Sequence, residues 1–157
     1  MTPKQEERIK QRIKKIKSAI AADKRFWGGY YHDGGGMRYA LPRLYIQLED
    51  FKGGLRYHNW FRKNFPDEPP FPLLDFQWAI ILFYRGRLKE AEQLLRLVIS
   101  ESPFLIDKFL GRPMRLESRK GEKLSQIEHE LNQFGYSHEQ EKLKKFAGWI
   151  ESELTEI

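Results

Sequence analysis

The chain has 157 residues, of which 40% are hydrophobic, 14% aromatic and 32% charged, with no cysteine and a formal net charge of +6. This length suits one domain with its own core, and the aromatic content excludes a disordered chain. The lack of cysteine excludes disulfides, and the longest apolar run, residues 78–84, is too short to cross a bilayer. We therefore expect one soluble domain, residues 1–157, that spans no membrane and resides in the reducing cytoplasm.

The first predicted element is a basic helix over residues 1–25. "TPKQ" at its start has the pattern of a capping box, with Thr2 as the N-cap and Gln5 as its partner. Isoleucines recur every three or four positions from Ile9 to Ile20, which predicts one apolar stripe. Nine Lys and Arg residues lie in this segment against three acids, whereas the rest of the chain has 19 of each sign. All the excess positive charge therefore lies on the first helix.

"WGGYYHDGGG", residues 27–36, is the most unusual stretch, because it contains five of the twelve glycines. It lacks the preceding strand and the following Lys and Ser/Thr of a phosphate-binding loop. Our main interpretation is a turn that folds the first helix back on the rest. One alternative is a contribution to a binding site. The other is catalysis by Tyr31, His32 and Asp33, which has the least support because adjacent side chains seldom meet as a base and its orienting group.

Four more helices follow in chain order. The second begins near residues 39–42 and runs to residue 49, the third covers residues 51–65, the fourth covers 73–86 and the fifth covers 87–102. Prolines in residues 67–72 make a stiff connector between the third and the fourth. No segment alternates as a strand does, so the sequence predicts an all-α fold.

A shift of 37 residues aligns the two middle hairpins, so that Gly54 falls on Ala91, Phe61 on Val98 and Pro66 on Pro103. "YRGRLKEAEQLLRLVISESP", with Gly86, Ala91, Leu95 and Pro103 in order, resembles the turn and second helix of a tetratricopeptide repeat. The resemblance covers residues 37–104. It implies a right-handed array of antiparallel helix hairpins, a TPR-like superhelix.

Two repeats leave both end faces of such an array uncovered, so we expect capping helices at both ends. Residues 1–25 would cap one end and residues 105–157 the other. The C-terminal caps comprise a short helix that ends at Gly111, a helix over residues 122–135, and a last helix that begins with a second capping box, "SHEQ", at residues 137–140. The stripe of the last helix is Leu143, Phe146, Ile150 and Leu154.

The resemblance also implies a binding groove, since the first helix of each tetratricopeptide pair lines a concave surface where extended peptides bind. The residues that it assigns to this peptide-binding groove are Tyr39, Arg43, Ile46, Gln47, Phe76, Ile80, Phe83 and Tyr84. The fourth helix is apolar on nearly all sides, which fits either a buried helix or an exposed binding face. Both alternatives stay open from the sequence.

The function that we predict is a non-catalytic interaction module that binds a peptide segment or a partner helix. The alternative is a nucleic-acid-binding protein that uses the basic first helix. We expect no metal or cofactor, because the histidines lack ligand spacing and Gln133 stands where the zinc-protease pattern requires histidine. Self-association is a further possibility, since the ends of short helical stacks can pair.

Overall fold

A computed structural model describes residues 1–114, residue 129 and residues 134–154. Residue 154 is described by its backbone alone. Within these residues the backbone forms seven α-helices and no strand. They are α1 (Pro3–Phe26), α2 (Leu41–Leu48), α3 (Phe51–Asn64), α4 (Pro72–Tyr84), α5 (Leu88–Glu101), α6 (Pro103–Leu110) and α7 (Lys144–Leu154). Short 3₁₀ turns, Met37–Ala40 and Glu141–Leu143, lead into α2 and α7. The all-α prediction is confirmed for the described residues, while most of the helix predicted over residues 122–135 lies outside them.

The chain folds into two compact units. Unit 1 is Met1–Glu68 and unit 2 is Pro69–Ile157. Unit 1 contains α1, α2 and α3, and unit 2 contains α4 to α7. The helix pairs α2–α3 and α4–α5, which the sequence predicts as hairpins, each pack within one unit.

Unit 1 is built on the capped helix α1. The predicted capping box is present: the Thr2 hydroxyl accepts a hydrogen bond from the Gln5 N–H at 3.2 Å, and the Gln5 side chain accepts one from the Thr2 N–H at 2.9 Å. Ile13 and Ile20 are buried, and α1 packs against α2 and the turn before it. The isoleucine stripe therefore faces the interior of unit 1 and leaves the basic side chains outside.

Unit 2 is built around α4, nine of whose 13 residues are buried. The Phe76 ring lies 5.4 Å from that of Phe109 and 6.0 Å from those of Phe134 and Phe146, centroid to centroid. Helix α5 packs along α4, and α7 also contacts α4. Of the two alternatives for the fourth helix, the structure shows the buried one.

The last helix begins later than its sequence pattern predicts. The "SHEQ" segment forms a turn, in which the Ser137 hydroxyl accepts a hydrogen bond from the Glu139 N–H at 3.3 Å, and α7 starts only at Lys144. His138 ties this turn to α6, since its backbone N–H donates to the Phe109 carbonyl at 3.2 Å and its ring Nδ1 lies 2.8 Å from the same oxygen. The segment that the sequence assigns to a capping box thus serves as an anchor on α6.

Candidate binding surface

The glycine-rich loop of unit 1 is folded around two carboxylates. The Asp23 carboxylate accepts hydrogen bonds from the backbone N–H groups of His32 and Asp33, at 2.9 and 3.0 Å. The Asp33 carboxylate accepts them from those of Met37 and Arg38, at 2.9 and 3.0 Å. Asp33 is buried and has a positive φ of 44°. The loop is therefore a packed turn that is fixed at both ends.

Arg38 extends this network. Its NH1 donates to the Asp33 carboxylate at 2.8 Å, its Nε to Glu68 at 3.3 Å and its NH2 to the Tyr39 hydroxyl at 2.7 Å. The Tyr39 hydroxyl in turn donates to Glu68. The guanidinium lies 4.3 Å from the ring centroid of Tyr39 and 4.6 Å from that of Phe65. Because its donors are used within unit 1, Arg38 acts as a structural residue.

The network also shifts proton affinities. Burial lowers the pKa of Arg38, but the hydrogen bond to Asp33 and the neighbouring negative groups outweigh burial and raise that pKa above its usual value. Burial, together with the hydrogen bond to Glu68, raises the pKa of Tyr39 to about 12. The guanidinium therefore stays charged and the Tyr39 phenol stays neutral at physiological pH.

The three loop candidates point in different directions. Tyr31 packs on Trp60 with ring centroids 5.1 Å apart, and the Lys24 ammonium lies 5.0 Å from the Tyr31 centroid. His32 is exposed and stacks on Trp27 at 4.5 Å, whereas the Asp33 carboxylate is buried beside Arg38. The structure does not bring Tyr31, His32 and Asp33 together as a catalytic group.

The residues predicted for a peptide groove have unequal accessibility. On the turn before α2 and on α2 itself, Tyr39, Arg43 and Gln47 are half-buried. Ile46 of α2 and Phe76 and Ile80 of α4 have no exposed surface, so none of the three is accessible to a partner of the folded chain. Within the predicted set, burial therefore leaves surface only on the three half-buried residues, together with Phe83 and Tyr84.

Phe83 and Tyr84 are in contact with the C-terminal segment. The Phe83 ring lies 5.3 Å from Phe146 and 5.0 Å from Trp149. The Tyr84 hydroxyl donates to the carbonyl of Lys142 and accepts from the N–H of Phe146 at 3.1 Å. These two side chains hold α7 against α4.

An exposed aromatic cluster lies where α1 ends. Its members are Phe26, Trp27, Tyr30 and His32, and the first three are 80%, 39% and 58% exposed. Trp27 is central: its ring centroid lies 5.2 Å from Phe26, 6.4 Å from Tyr30 and 4.5 Å from His32. The cluster presents several rings to solvent at one place.

The helical periodicity of the sequence does not predict this cluster, because it places only isoleucines on the apolar side of the first helix. The signal that could have revealed it is the pair Gly28 and Gly29. Their φ angles of 77° and 112° end the helix directly after two large rings and turn the chain, so that Tyr30 and His32 lie near Trp27.

A stripe of cations lies on the same side of α1 as Phe26 of this cluster. Arg8, Arg12 and Lys15, which we call the basic stripe, lie within about 60° of one another, because each helical residue advances about 100°. Phe26 follows Arg8 by 18 positions, about five full turns, and so lies on the same side of the helix. All four side chains are exposed, and within the part of the chain that the structure describes no acid pairs with the three cations.

Lys4 lies about 20° from Lys15 and extends the basic stripe toward the start of the helix, whereas the other cations of α1 lie elsewhere on its circumference. Lys10 and Lys14 are on the side opposite the basic stripe, and Lys10 pairs with Glu6 at 3.4 Å. Lys17 lies 5.5 Å from the ring centroid of Tyr45. The basic stripe thus lies on the same side of α1 as Phe26, with about 16 Å of helix, which carries Ala19 and Ala22 on that side, between Lys15 and the ring.

Residues 1–114, 129 and 134–154 contain no group of three or more His, Asp or Glu side chains that is placed to hold a metal ion. Among the same residues no helix has the length and apolar character that crossing a bilayer requires.

Comparison with protein-family models, with curated proteins and with solved structures finds no match to this chain.

Proposed function

We propose that this chain is a non-catalytic interaction module whose binding surface lies on unit 1 and comprises the basic stripe and the aromatic cluster on the same side of α1. The observation that carries this proposal is the exposure of Phe26, Trp27 and Tyr30 beside one another on a folded surface. Large rings that are left in solvent as a group are typical of sites where a partner binds, and aromatic residues dominate binding hot spots.

The positive charge of α1 indicates that the partner carries negative charge. Residues 1–25 carry the whole net charge of +6, and Arg8, Arg12 and Lys15 present it on one exposed side. A cationic surface attracts and steers negatively charged macromolecules, and aromatic rings add contact area once such a partner is bound. An acidic protein segment and a nucleic acid both satisfy this requirement.

The tetratricopeptide-like arrangement of the helix pairs belongs to this proposal as well. It is supported by the pairing of α2 with α3 and of α4 with α5. The peptide groove that the resemblance implies stays a prediction, and of its accessible residues Tyr39, Arg43 and Gln47 belong to unit 1 and Phe83 and Tyr84 to unit 2. A cytoplasmic location and self-association remain predictions alongside it.

The test is binding of labelled polyanions of three kinds, namely polyglutamate, a heparin oligosaccharide and an oligothymidylate. We expect at least one to bind, and the R8Q/R12Q variant to bind about three- to tenfold more weakly. The matched control is K10Q/K14Q, which removes the same charge from the opposite side of the same helix. Because salt screens charges beyond about 8 Å at physiological ionic strength, the control should retain wild-type affinity.

Glutamine is a good helix former, so both variants should keep α1 intact, as circular dichroism would verify. If no polyanion binds, or if the two variants weaken binding equally, the binding surface is not the one proposed here.

A further inference from the structure

We propose that the partner is single-stranded nucleic acid, with phosphates on the basic stripe and bases stacked on the aromatic cluster. This inference rests on the function proposed above and names the partner of the same surface. Proteins that bind single strands combine a cationic track for the backbone with aromatic rings on which successive bases stack, and α1 with its C-terminal loop presents both.

The geometry of α1 suits a regularly charged strand. From Arg8 to Phe26 the helix rises about 27 Å, at about 1.5 Å per residue. A nucleic-acid strand carries one negative charge per nucleotide, so it can contact several cations of an exposed stripe at once. Its bases are also free to reach the rings that lie about 16 Å farther along the same side of α1, which base pairing in a duplex prevents.

The rings are held in place before any partner binds. Trp27 is stacked on His32, with 24° between the ring planes, and meets Phe26 at 83°. The Asp23 carboxylate fixes the backbone of His32 and Asp33 at the far side of the turn. A cluster that is already ordered loses little conformational freedom when a base stacks on it.

Two other partners fit this surface less well. An acidic peptide satisfies the cations, but its carboxylate side chains bring no aromatic ring that could stack on the cluster. A membrane surface requires an apolar face along an amphipathic helix, and the isoleucine face of α1 is turned inward, with Ile13 and Ile20 buried. The aromatic cluster lies at one end of the helix instead.

The first arm of the experiment measures the role of charge. A fluorescein-labelled oligothymidylate of about a dozen nucleotides is titrated by anisotropy at several salt concentrations. For single strands each neutralised phosphate contributes about 0.7 to the slope of log affinity against log salt, so R8Q/R12Q should reduce the slope by about 1.4. K10Q/K14Q should keep the wild-type slope.

The second arm measures stacking. F26A/Y30A should weaken binding about tenfold or more while leaving the salt slope unchanged, because it removes rings and no charge. Its control, L88A/L97A, removes two exposed apolar side chains from α5 in unit 2 and should bind as wild type does. Bound oligothymidylate should also quench the emission of Trp27, and this quenching should be absent in W27F.

The outcomes separate this inference from the proposed function. If polyglutamate binds through the basic stripe and the oligothymidylate does not, the function stands and a nucleic-acid partner is excluded. Equal affinity for a duplex of the same length, or unchanged affinity in F26A/Y30A, overturns the inference as well. Binding to phosphatidylserine vesicles without binding to the oligothymidylate would assign the surface to membranes instead.

Discussion

At the scale of single residues, Asp33 is the centre of the hydrogen-bond network in the loop of unit 1. Its buried carboxylate accepts two backbone N–H groups and the guanidinium of Arg38. Asn at this position keeps the size of the side chain and tolerates the positive φ. Its amide has only one acceptor oxygen, however, and cannot satisfy three donors. We expect D33N to lower the free energy of unfolding by about 3 kcal/mol, as measured by urea denaturation.

The control for D33N is D67N, which removes an equal charge from an exposed residue of the same unit. Its effect should stay within about 0.5 kcal/mol, because exposed substitutions away from special features change stability little. If D33N were as stable as D67N, the loop would not depend on the Asp33 carboxylate.

Asp75, in the first turn of α4, gives a prediction about pH. Its burial, with a contribution from the nearby charge of Glu101, raises the pKa of Asp75 to about 6. The fold therefore favours the protonated acid. The stability that Asp75 contributes is complete below about pH 3.8, its unfolded value, and is lost as the pH rises through 6.

We expect D75N to be more stable than wild type at pH 7.5. A shift of about two pKa units corresponds to about 3 kcal/mol, and because the group is partly exposed, solvent screening reduces the expected gain to about 1 to 2 kcal/mol. Near pH 3.5 the two proteins should be equally stable. Urea denaturation at both pH values measures the difference, and a D75N variant that is less stable at pH 7.5 would show that the carboxylate is favourable there.

At the scale of helices, local sequence signals set most of the boundaries. The capping box of Thr2 and the positive φ of Gly86 and Gly111 begin and end helices where the sequence predicts. The burial of Phe76 could not be read in the same way, because its partners are rings on distant segments. Periodicity shows that α4 is apolar on all sides, but not what covers it.

Periodicity also fails to predict the structure of the glycine-rich loop of unit 1. Asp33, which pairs with Arg38, has a left-handed backbone conformation that no hydrophobic period indicates. The aromatic cluster depends in turn on the two positive-φ glycines after α1. Helix periodicity thus places the basic stripe, whereas turn chemistry determines the aromatic part of the candidate binding surface.

Two glycines in helices should respond oppositely to alanine. In α3, a Cβ on Gly53 would lie 2.3 Å from the carboxylate oxygen of the N-cap Asp50 and 2.9 Å from the Tyr45 ring, so G53A must displace the cap. In α7, a Cβ on Gly148 meets nothing within 4 Å. We expect G53A to cost about 2 kcal/mol and G148A to stabilise by about 0.5 to 1 kcal/mol.

Urea denaturation of the two glycine variants at neutral pH measures both effects. A stabilising G53A would mean that Asp50 does not cap α3 in solution. A destabilising G148A would mean that the exposed side of α7 is covered by another part of the chain.

At the scale of the whole chain, the excess positive charge and the cluster of buried aromatic rings lie in different units. The excess positive charge belongs entirely to α1 of unit 1. The rings of Phe76, Phe109 and Phe146, by contrast, pack together in unit 2. The proposed binding surface and this aromatic core therefore lie in different units.

This division predicts that each unit opens separately. D33N should speed amide hydrogen exchange in peptides from residues 1–68 and leave those from residues 69–157 at the wild-type rate, because local openings follow cooperative units. F146A, which removes a fully buried ring from unit 2 and should cost about 3 to 5 kcal/mol, should have the reverse pattern. Mass spectrometry of the full chain resolves the two patterns. If either variant speeds exchange equally in both units, the two units unfold as one cooperative structure. Variants in unit 1 would then alter binding partly through the stability of the whole protein.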